Sequence, residues 1–122
     1  MSGTSYDGIA AALAAIRGFG LATRFRLLAF DTFPFPAAVR KVIAEVSSAA
    51  TGTVDKVCRA NVLLGELFAE AAIGIAKAAG VPLGRVDLIG SHGQTIHHLP
   101  HPVRVAGRRV AATLQIGEPC VI

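Results

Sequence analysis

The opening segment Ser2–Gly8 carries residue types suited to binding phosphate. It combines two glycines, three serine or threonine hydroxyls and Asp7 within a few positions. Glycine lets backbone N–H groups approach a phosphate closely, and hydroxyl groups supply further hydrogen-bond donors. Asp7 could orient a water molecule on Mg²⁺, a cation that prefers oxygen ligands. Because such clusters are also common in ordinary turns, the segment alone fits either a phosphate-binding loop or a plain turn.

A second polar segment, Ser91–His98, follows Val86–Gly90, which we predict to be a buried strand. Ligand sites in α/β proteins gather at the carboxyl ends of strands, so its position favours binding. Gln94 and Thr95 offer amide and hydroxyl groups suited to the hydroxyls of a sugar, and His92 can donate or accept a hydrogen bond. The alternative is a structural turn that needs a glycine at positive φ.

The four histidines of the chain lie within ten residues of one another: His92, His97, His98 and His101. Imidazole is a common zinc ligand, which makes a zinc site the alternative to consider. However, Pro100 and Pro102 prevent a helix that would present two histidines on one face, and no cysteine is nearby. We therefore predict no metal site here, and keep a metal-binding protein as an alternative interpretation.

The elements that must position these segments alternate between strand and helix patterns. The segment Ile9–Ile16 fits a strand or a helix, because short apolar runs fit both. The further predicted elements are a strand at Leu27–Phe30, helices at Ala37–Ala49 and Thr53–Ala79, and a hairpin with strands Pro102–Val105 and Val110–Gln115. Gly65 and Gly74 fall inside the long helix, where we expect them to allow close packing of another backbone. The pattern predicts a mixed α/β or α+β domain.

Composition narrows the possible functions. The 122 residues suffice for one domain, and 52% of them are hydrophobic, which excludes long disorder. The net charge of +4 comes from scattered basic residues with few aromatic partners, so we expect no nucleic-acid partner. No apolar run approaches the roughly 20 residues of a membrane helix, and no secretory signal is recognisable. We therefore expect a cytoplasmic protein without a membrane partner.

Taken together and in order, four segments resemble the N-terminal part of the anhydro-N-acetylmuramic acid kinase family. They are Met1–Gly8 (MSGTSYDG), Leu64–Ala69 (LGELFA), Ile89–His98 (IGSHGQTIHH) and Thr113–Pro119 (TLQIGEP). The MSGTS opening and the SHGQT segment are specific to this family in combination, and the resemblance covers the whole chain. It implies an α/β fold, namely a truncated N-terminal lobe of an actin-like sugar kinase (ribonuclease H-like fold). Residues 1–122 would form part of that lobe, with no second domain in the chain.

The resemblance also implies an activity and a set of site residues. The family uses ATP, with Mg²⁺, and water to open the 1,6-anhydro ring of anhydro-N-acetylmuramic acid and to phosphorylate O6. The product, N-acetylmuramic acid 6-phosphate, returns cell-wall sugar to metabolism. The implied nucleotide-phosphate loop consists of Gly3, Thr4, Ser5, Tyr6, Asp7 and Gly8. The implied sugar-facing residues are His92, Gln94 and Thr95. The family's catalytic aspartate would lie beyond Ile122, so we expect no catalytic residue in this chain and no activity from it alone.

Two alternatives stay open on the sequence alone. One is a non-enzymatic remnant that keeps ATP or sugar binding without catalysis, and ATP binding without turnover would favour it. The other is a small metal-dependent protein built on the histidines, which stoichiometric zinc would favour. Both differ from the kinase hypothesis in outcomes that a purified protein can report.

Overall fold

The computed structural model describes residues 1–3 and 5–122, and within them the chain folds into two β-hairpins and two α-helices. The elements are β1 (Gly8–Arg17), β2 (Arg24–Pro34), α1 (Ala37–Ser47), α2 (Val54–Ala78), β3 (Gln94–Val105) and β4 (Arg108–Ile116). Single turns of 3₁₀ helix lie at Gly20–Ala22 and Leu83–Arg85. This mixed content confirms the predicted α/β character, while the actin-like lobe itself stays a prediction.

The two hairpins are joined through the start of the chain. Strands β1 and β2 pair antiparallel from Gly8↔Pro34 to Arg17↔Arg24, and β3 and β4 pair antiparallel from Gln94↔Ile116 to Val105↔Arg108. Met1 exchanges two backbone hydrogen bonds of 2.9 Å with Ala10 of β1. The next residue, Ser2, forms a parallel bridge with Gln94 of β3. The opening segment therefore lies between the two hairpins.

The ambiguous run Ile9–Ile16 is a strand in the structure, although its alanines favour a helix by intrinsic propensity. Its partner β2 contains three phenylalanines, a residue type that favours pleated strands. Gly8 permits the pairing to begin, because a Cβ atom there would collide with the backbone of Phe33 and Pro34. Tertiary pairing thus overrides the local preference.

Helix α2 carries the core. Its inner face buries Ala60, Leu64, Phe68 and Ala71. These side chains belong to one apolar cluster to which α1 and both hairpins also contribute. The other members are Ile9 from β1, Phe35 after β2, Ile43 and Val46 from α1, Ile96 from β3, and Ile116 from β4. Because α1 and each hairpin contribute buried residues to this cluster around α2, the helix determines the positions of the two hairpins.

The end of α2 follows the pattern in the sequence. Gly80 adopts a φ of 65°, and its N–H donates to the carbonyl of Lys77 at 3.0 Å, while the N–H of Val81 donates to Ala76 at 3.0 Å. These bonds satisfy carbonyls that a helix end would otherwise leave free, and Pro82 prevents continuation. None of the helices in residues 1–3 and 5–122 is long and apolar enough to cross a membrane.

The predicted strand at Val86–Gly90 is wrong. The segment is extended but unpaired, and the exposed fractions of Leu88 and Ile89 are 85% and 48%. The segment and strand β1 both line one apolar cavity of about 610 Å³. A strand needs hydrogen bonds from a neighbour, and the apolar pattern alone could not show that none of the described strands pairs with this segment.

Close packing explains both glycines inside α2, but only Gly65 packs against another backbone as expected, whereas Gly74 packs against a side-chain ring. A Cβ atom on Gly65 would lie 2.8 Å from the carbonyl oxygen of Glu118, and one on Gly74 would lie 2.6 Å from the ring of Phe33. A backbone atom cannot yield as a side-chain ring can. Gly65 is therefore the position where α2 and the end of the second hairpin make their closest approach.

We predict that Gly65→Ala destabilises the protein although alanine is the better helix former. The helix propensity gain of about 1 kcal/mol is smaller than an overpacking cost that reaches about 3 kcal/mol at a site unable to relax. Gly84→Ala is the matched control, because a Cβ atom there meets open space. Urea unfolding of both variants, in the protein expressed from its complete gene, measures the difference. An unchanged or raised stability of Gly65→Ala would show that the contact with Glu118 is loose.

Candidate functional site

The candidate site is organised around the side chain of Gln94, the first residue of β3. Gln94 has no exposed surface. Its Oε1 accepts a short hydrogen bond from the Ser2 hydroxyl, and its Nε2 donates to the carbonyls of Gly3 at 3.0 Å and Thr95 at 2.9 Å. The Ser2 hydroxyl also lies 2.9 Å from the carbonyl oxygen of Gly8. One buried amide thus joins the beginning of the opening segment, at Ser2 and Gly3, to the start of β3.

The predicted phosphate loop presents its polar groups to solvent. Ser5 and Asp7 are exposed, whereas Tyr6 is half-buried against the core. Tyr6 adopts a φ of 58°, which is uncommon for a bulky residue, and its N–H donates to the carbonyl of Gly3 at 3.3 Å. Thr4, which the sequence also assigns to this loop, lies outside the described residues. The geometry leaves a hydroxyl and a carboxylate open to a ligand.

The remaining loop residues serve the packing of the hairpin as well. The carbonyl of Asp7 accepts a hydrogen bond of 3.0 Å from the N–H of Phe35, which anchors the loop to the residue after β2. Gly8 is needed for the close approach to β2 described above. A contact of Gly8 with phosphate stays a prediction, because its packing alone accounts for a glycine there.

The predicted sugar-facing residues differ in their exposure. His92 is exposed, with its Nδ1 3.4 Å from the carbonyl oxygen of Gly93, and Thr95 is half-buried. Gln94, between them, has its amide buried against the opening segment. The structure therefore places the two predicted segments side by side, and the sugar contacts themselves stay predictions.

The start of β3 is held rigidly from the side of β4. Gly93 has a φ of 75°, as the turn interpretation of the sequence requires, and a Cβ atom on it would lie 2.7 Å from the carbonyl oxygen of Ile116. Gly117 has a φ of 131°, and its Cβ atom would lie 2.6 Å from the Phe68 ring. Neither position can take a side chain: the backbones of β3 and β4 meet directly at Gly93, and Gly117 packs against the Phe68 ring of α2.

Asn61 of α2 is a structural centre that the sequence reasoning missed. Its Oδ1 accepts from the N–H of Gly117 at 2.7 Å, and its Nδ2 donates to Oε2 of Glu118 at 2.9 Å. Its backbone carbonyl accepts from the N–H of Glu118 at 2.9 Å. The signal was present in the sequence, since Asn61 is an amide in the apolar periodicity of the long helix and must find buried partners.

Hydrogen bonds lower the pKa of Glu118. The largest cause is the N–H of Cys120, which donates to Oε1 at 3.2 Å, followed by the Cys120 and Asn61 side chains; partial desolvation acts weakly in the opposite direction. Donors directed at a carboxylate favour its charged form. Glu118 is therefore held as a carboxylate that closes the turn after β4.

The histidines do not form a metal-ligand cluster. Across residues 1–3 and 5–122, no three His, Cys, Asp or Glu side chains come together in a geometry suited to a metal ion. His98 and His101 are exposed on the outer part of the hairpin, and His97 is half-buried. The metal-binding alternative gains no support from this arrangement.

Comparison with known proteins gives a consistent match along the chain. The sequence profile of the family described as anhydro-N-acetylmuramic acid kinase matches residues 1–122. A relative with that name from Caldanaerobacter subterraneus subsp. tengcongensis is 54% identical over 122 residues, and one from Bacillus cereus is 45% identical over 122 residues. Each match covers 100% of this chain and 31% of the relative, so the chain spans about a third of the length of these relatives.

We predict that the contribution of Glu118 to stability depends on pH. Because folding lowers its pKa, the contribution is complete above the usual titration range of glutamate and disappears as the pH falls through the lowered pKa. Glu118→Gln should therefore lower the melting temperature at neutral pH, and the gap to the unaltered protein should close in strong acid. Glu66→Gln, an exposed glutamate of α2, is the matched control, for which no gap at neutral pH is expected. A gap for Glu118→Gln that is constant with pH would contradict the role of the charge.

Proposed function

The chain belongs to the anhydro-N-acetylmuramic acid kinase family, and from this membership we propose that the protein acts in ATP-dependent phosphorylation of anhydro-N-acetylmuramic acid. In the proposed reaction, water adds to C1 as the C1–O6 bond of the anhydro ring breaks. The freed O6 receives the γ-phosphoryl group of ATP, which gives N-acetylmuramic acid 6-phosphate and ADP. We place this reaction in the cytoplasm, where it would return cell-wall sugar to metabolism.

The observation that carries the proposal is the junction of two polar segments about 90 residues apart in sequence. The Gln94 amide joins the opening loop to the strand end that bears His92 and Thr95. A kinase must hold two substrates side by side, because phosphoryl transfer is catalysed mainly by positioning and electrostatic stabilisation.

The loop residues fit a nucleotide phosphate with Mg²⁺ by the chemistry of their donors. The exposed Ser5 hydroxyl can donate to a phosphate oxygen, and the exposed Asp7 carboxylate can accept from water on a cation. ATP would supply the phosphoryl group at this loop. On the sugar side, Thr95 and His92 would hydrogen-bond hydroxyl or amide groups of the substrate and so orient it toward the loop.

The water that attacks C1 needs a general base. The four acids from Glu66 to Glu118 do not match the position of the family's aspartate, so we assign the general base to no residue of this chain. The chain's own contribution, in this proposal, is to bind and orient the nucleotide and the sugar. A binding role without catalysis is the second candidate, and it predicts ATP binding with no release of ADP.

Two substitutions test the assignment of the two segments. We expect Ser5→Ala to raise the KM for ATP about tenfold, since a hydrogen bond to a charged group contributes about 1.5–3 kcal/mol, with the KM for the sugar unchanged. We expect Thr95→Val to raise the KM for the sugar about fivefold, as for a neutral hydrogen bond of about 1 kcal/mol. Release of ADP by the protein expressed from its complete gene, with either substrate varied, provides the measurement.

The matched control is Thr113→Val, which removes an exposed hydroxyl farther along the second hairpin and should leave both KM values unchanged. No release of ADP by the unaltered protein would refute the kinase proposal. ADP release with the two KM effects exchanged would keep the kinase and reverse the assignment of the segments.

A further inference from the structure

We propose that Gln94 is a positioning residue that couples the nucleotide loop to the sugar-facing strand, and that it is not itself a sugar contact. This inference rests on the proposed function, because it concerns how that site is held. It assigns to the Gln94 amide a role different from the one implied by the family resemblance.

The hydrogen-bonding groups of the Gln94 amide are already used within the protein. A glutamine amide has two N–H donors, and here they reach the carbonyls of Gly3 and Thr95, while Oε1 accepts from Ser2. The residue has no exposed surface. A sugar hydroxyl could contact Nε2 only if one of these carbonyls lost its partner, and an unpaired buried carbonyl is costly. The amide is therefore a link between segments of the chain.

The link has a rigid side and a side that depends on it. On the rigid side, β3 begins at a residue flanked by Gly93, whose backbone packs directly against Ile116. On the other side, the loop accepts through the carbonyl of Gly3, the same oxygen to which Tyr6 donates. Tyr6 is held at a φ of 58°, a conformation that persists only when its surroundings fix it. Removing the amide should therefore loosen the loop and leave β3 in place.

This arrangement makes the two ligand segments interdependent. His92 and Thr95 flank Gln94 in sequence, and the loop residues follow Gly3. A sugar held by His92 and Thr95 would further restrain the Gln94 amide between them and, through it, the loop, so that a nucleotide would bind with less ordering still to occur. Such coupling is reciprocal, and the nucleotide must raise the affinity for the sugar by the same factor. We expect positive cooperativity between the two ligands.

The decisive variant is Gln94→Met, which keeps the length and approximate volume of the side chain and removes its hydrogen-bonding groups. Calorimetric titration of the protein expressed from its complete gene would use a non-hydrolysable ATP analogue with Mg²⁺, and anhydro-N-acetylmuramic acid, each alone and with the other saturating. We expect the nucleotide Kd to rise about tenfold, as for loss of about 1.4 kcal/mol of binding. The sugar Kd without nucleotide should change less than twofold, and the cooperativity factor should approach one.

Ser2→Ala provides a second, milder variant in case Gln94→Met does not fold. It removes only the hydroxyl that orients Oε1, so we expect a smaller change in the same direction, and no additive effect when the two substitutions are combined. Ser47→Ala is its matched control, because that hydroxyl bonds within α1 to Ile43, and it should change neither Kd.

Hydrogen exchange distinguishes failure of this inference from failure of the proposed function. Without any ligand, Gln94→Met and Ser2→Ala should speed exchange of the Tyr6 amide and spare amides of β3 such as Ile96. If the unaltered protein binds neither ligand while Tyr6 exchange responds in this way, the link exists and the kinase proposal fails. A rise in the sugar Kd at constant nucleotide Kd would show that Gln94 contacts the sugar and would overturn the inference. Unchanged Tyr6 exchange and unchanged Kd values would overturn it as well.

Discussion

The packing of both hairpins against one face of α2 is the constraint on which the structure depends. The pairs β1–β2 and β3–β4 form separate two-stranded sheets in the described part of the chain. A lone hairpin is at best marginally stable in water, so each needs apolar contacts outside itself. Leu64 and Phe68 of α2 lie in the cluster that takes up Ile9 from one hairpin and Ile96 and Ile116 from the other. The relative placement of the two predicted ligand segments follows from this shared helix.

Close approach of backbones turns that packing into a defined geometry. A single added carbon would collide with the backbone of Glu118 at Gly65, with the backbone of Ile116 at Gly93 and with the Phe68 ring at Gly117. Asn61 adds directional bonds at the same junction, since it holds both the N–H of Gly117 and the carboxylate of Glu118. Apolar burial alone is non-directional, whereas these contacts fix the register of the second hairpin on the helix. The start of β3 and the end of β4 are consequently the part of the candidate site that is most firmly held by packing.

The sequence predicted elements whose signals lie within one segment, and it failed for strands whose formation depends on pairing with another segment. The long helix and its end at Gly80 were predictable because apolar periodicity and a C-terminal glycine are features of the segment itself. The strand at Val86–Gly90 was predicted wrongly, since an apolar run does not reveal whether a neighbour offers hydrogen bonds. The alanine-rich β1 could not be decided for the same reason, as its state depends on β2. The family resemblance implied that Gln94 faces the sugar. Its hydrogen bonds to Ser2 and Gly3 depend on the tertiary structure and could not be predicted from the sequence.

The contrast between Gln94 and Asn61 shows why residue type alone does not assign a role. Both are amides, Gln94 within a segment that carries the family resemblance and Asn61 shortly before another, and both bond to backbone far away in sequence. Asn61 lies in a junction of α2 with the turn after β4, where backbone spacing is already set by glycines on both sides. Gln94 joins that rigid junction to a loop whose Ser5 and Asp7 are exposed. An amide within a rigid junction contributes mainly to stability, whereas an amide between a rigid element and an exposed loop also transmits changes from one to the other. The role of a buried amide therefore depends on the elements that it connects, and not on its side-chain chemistry alone.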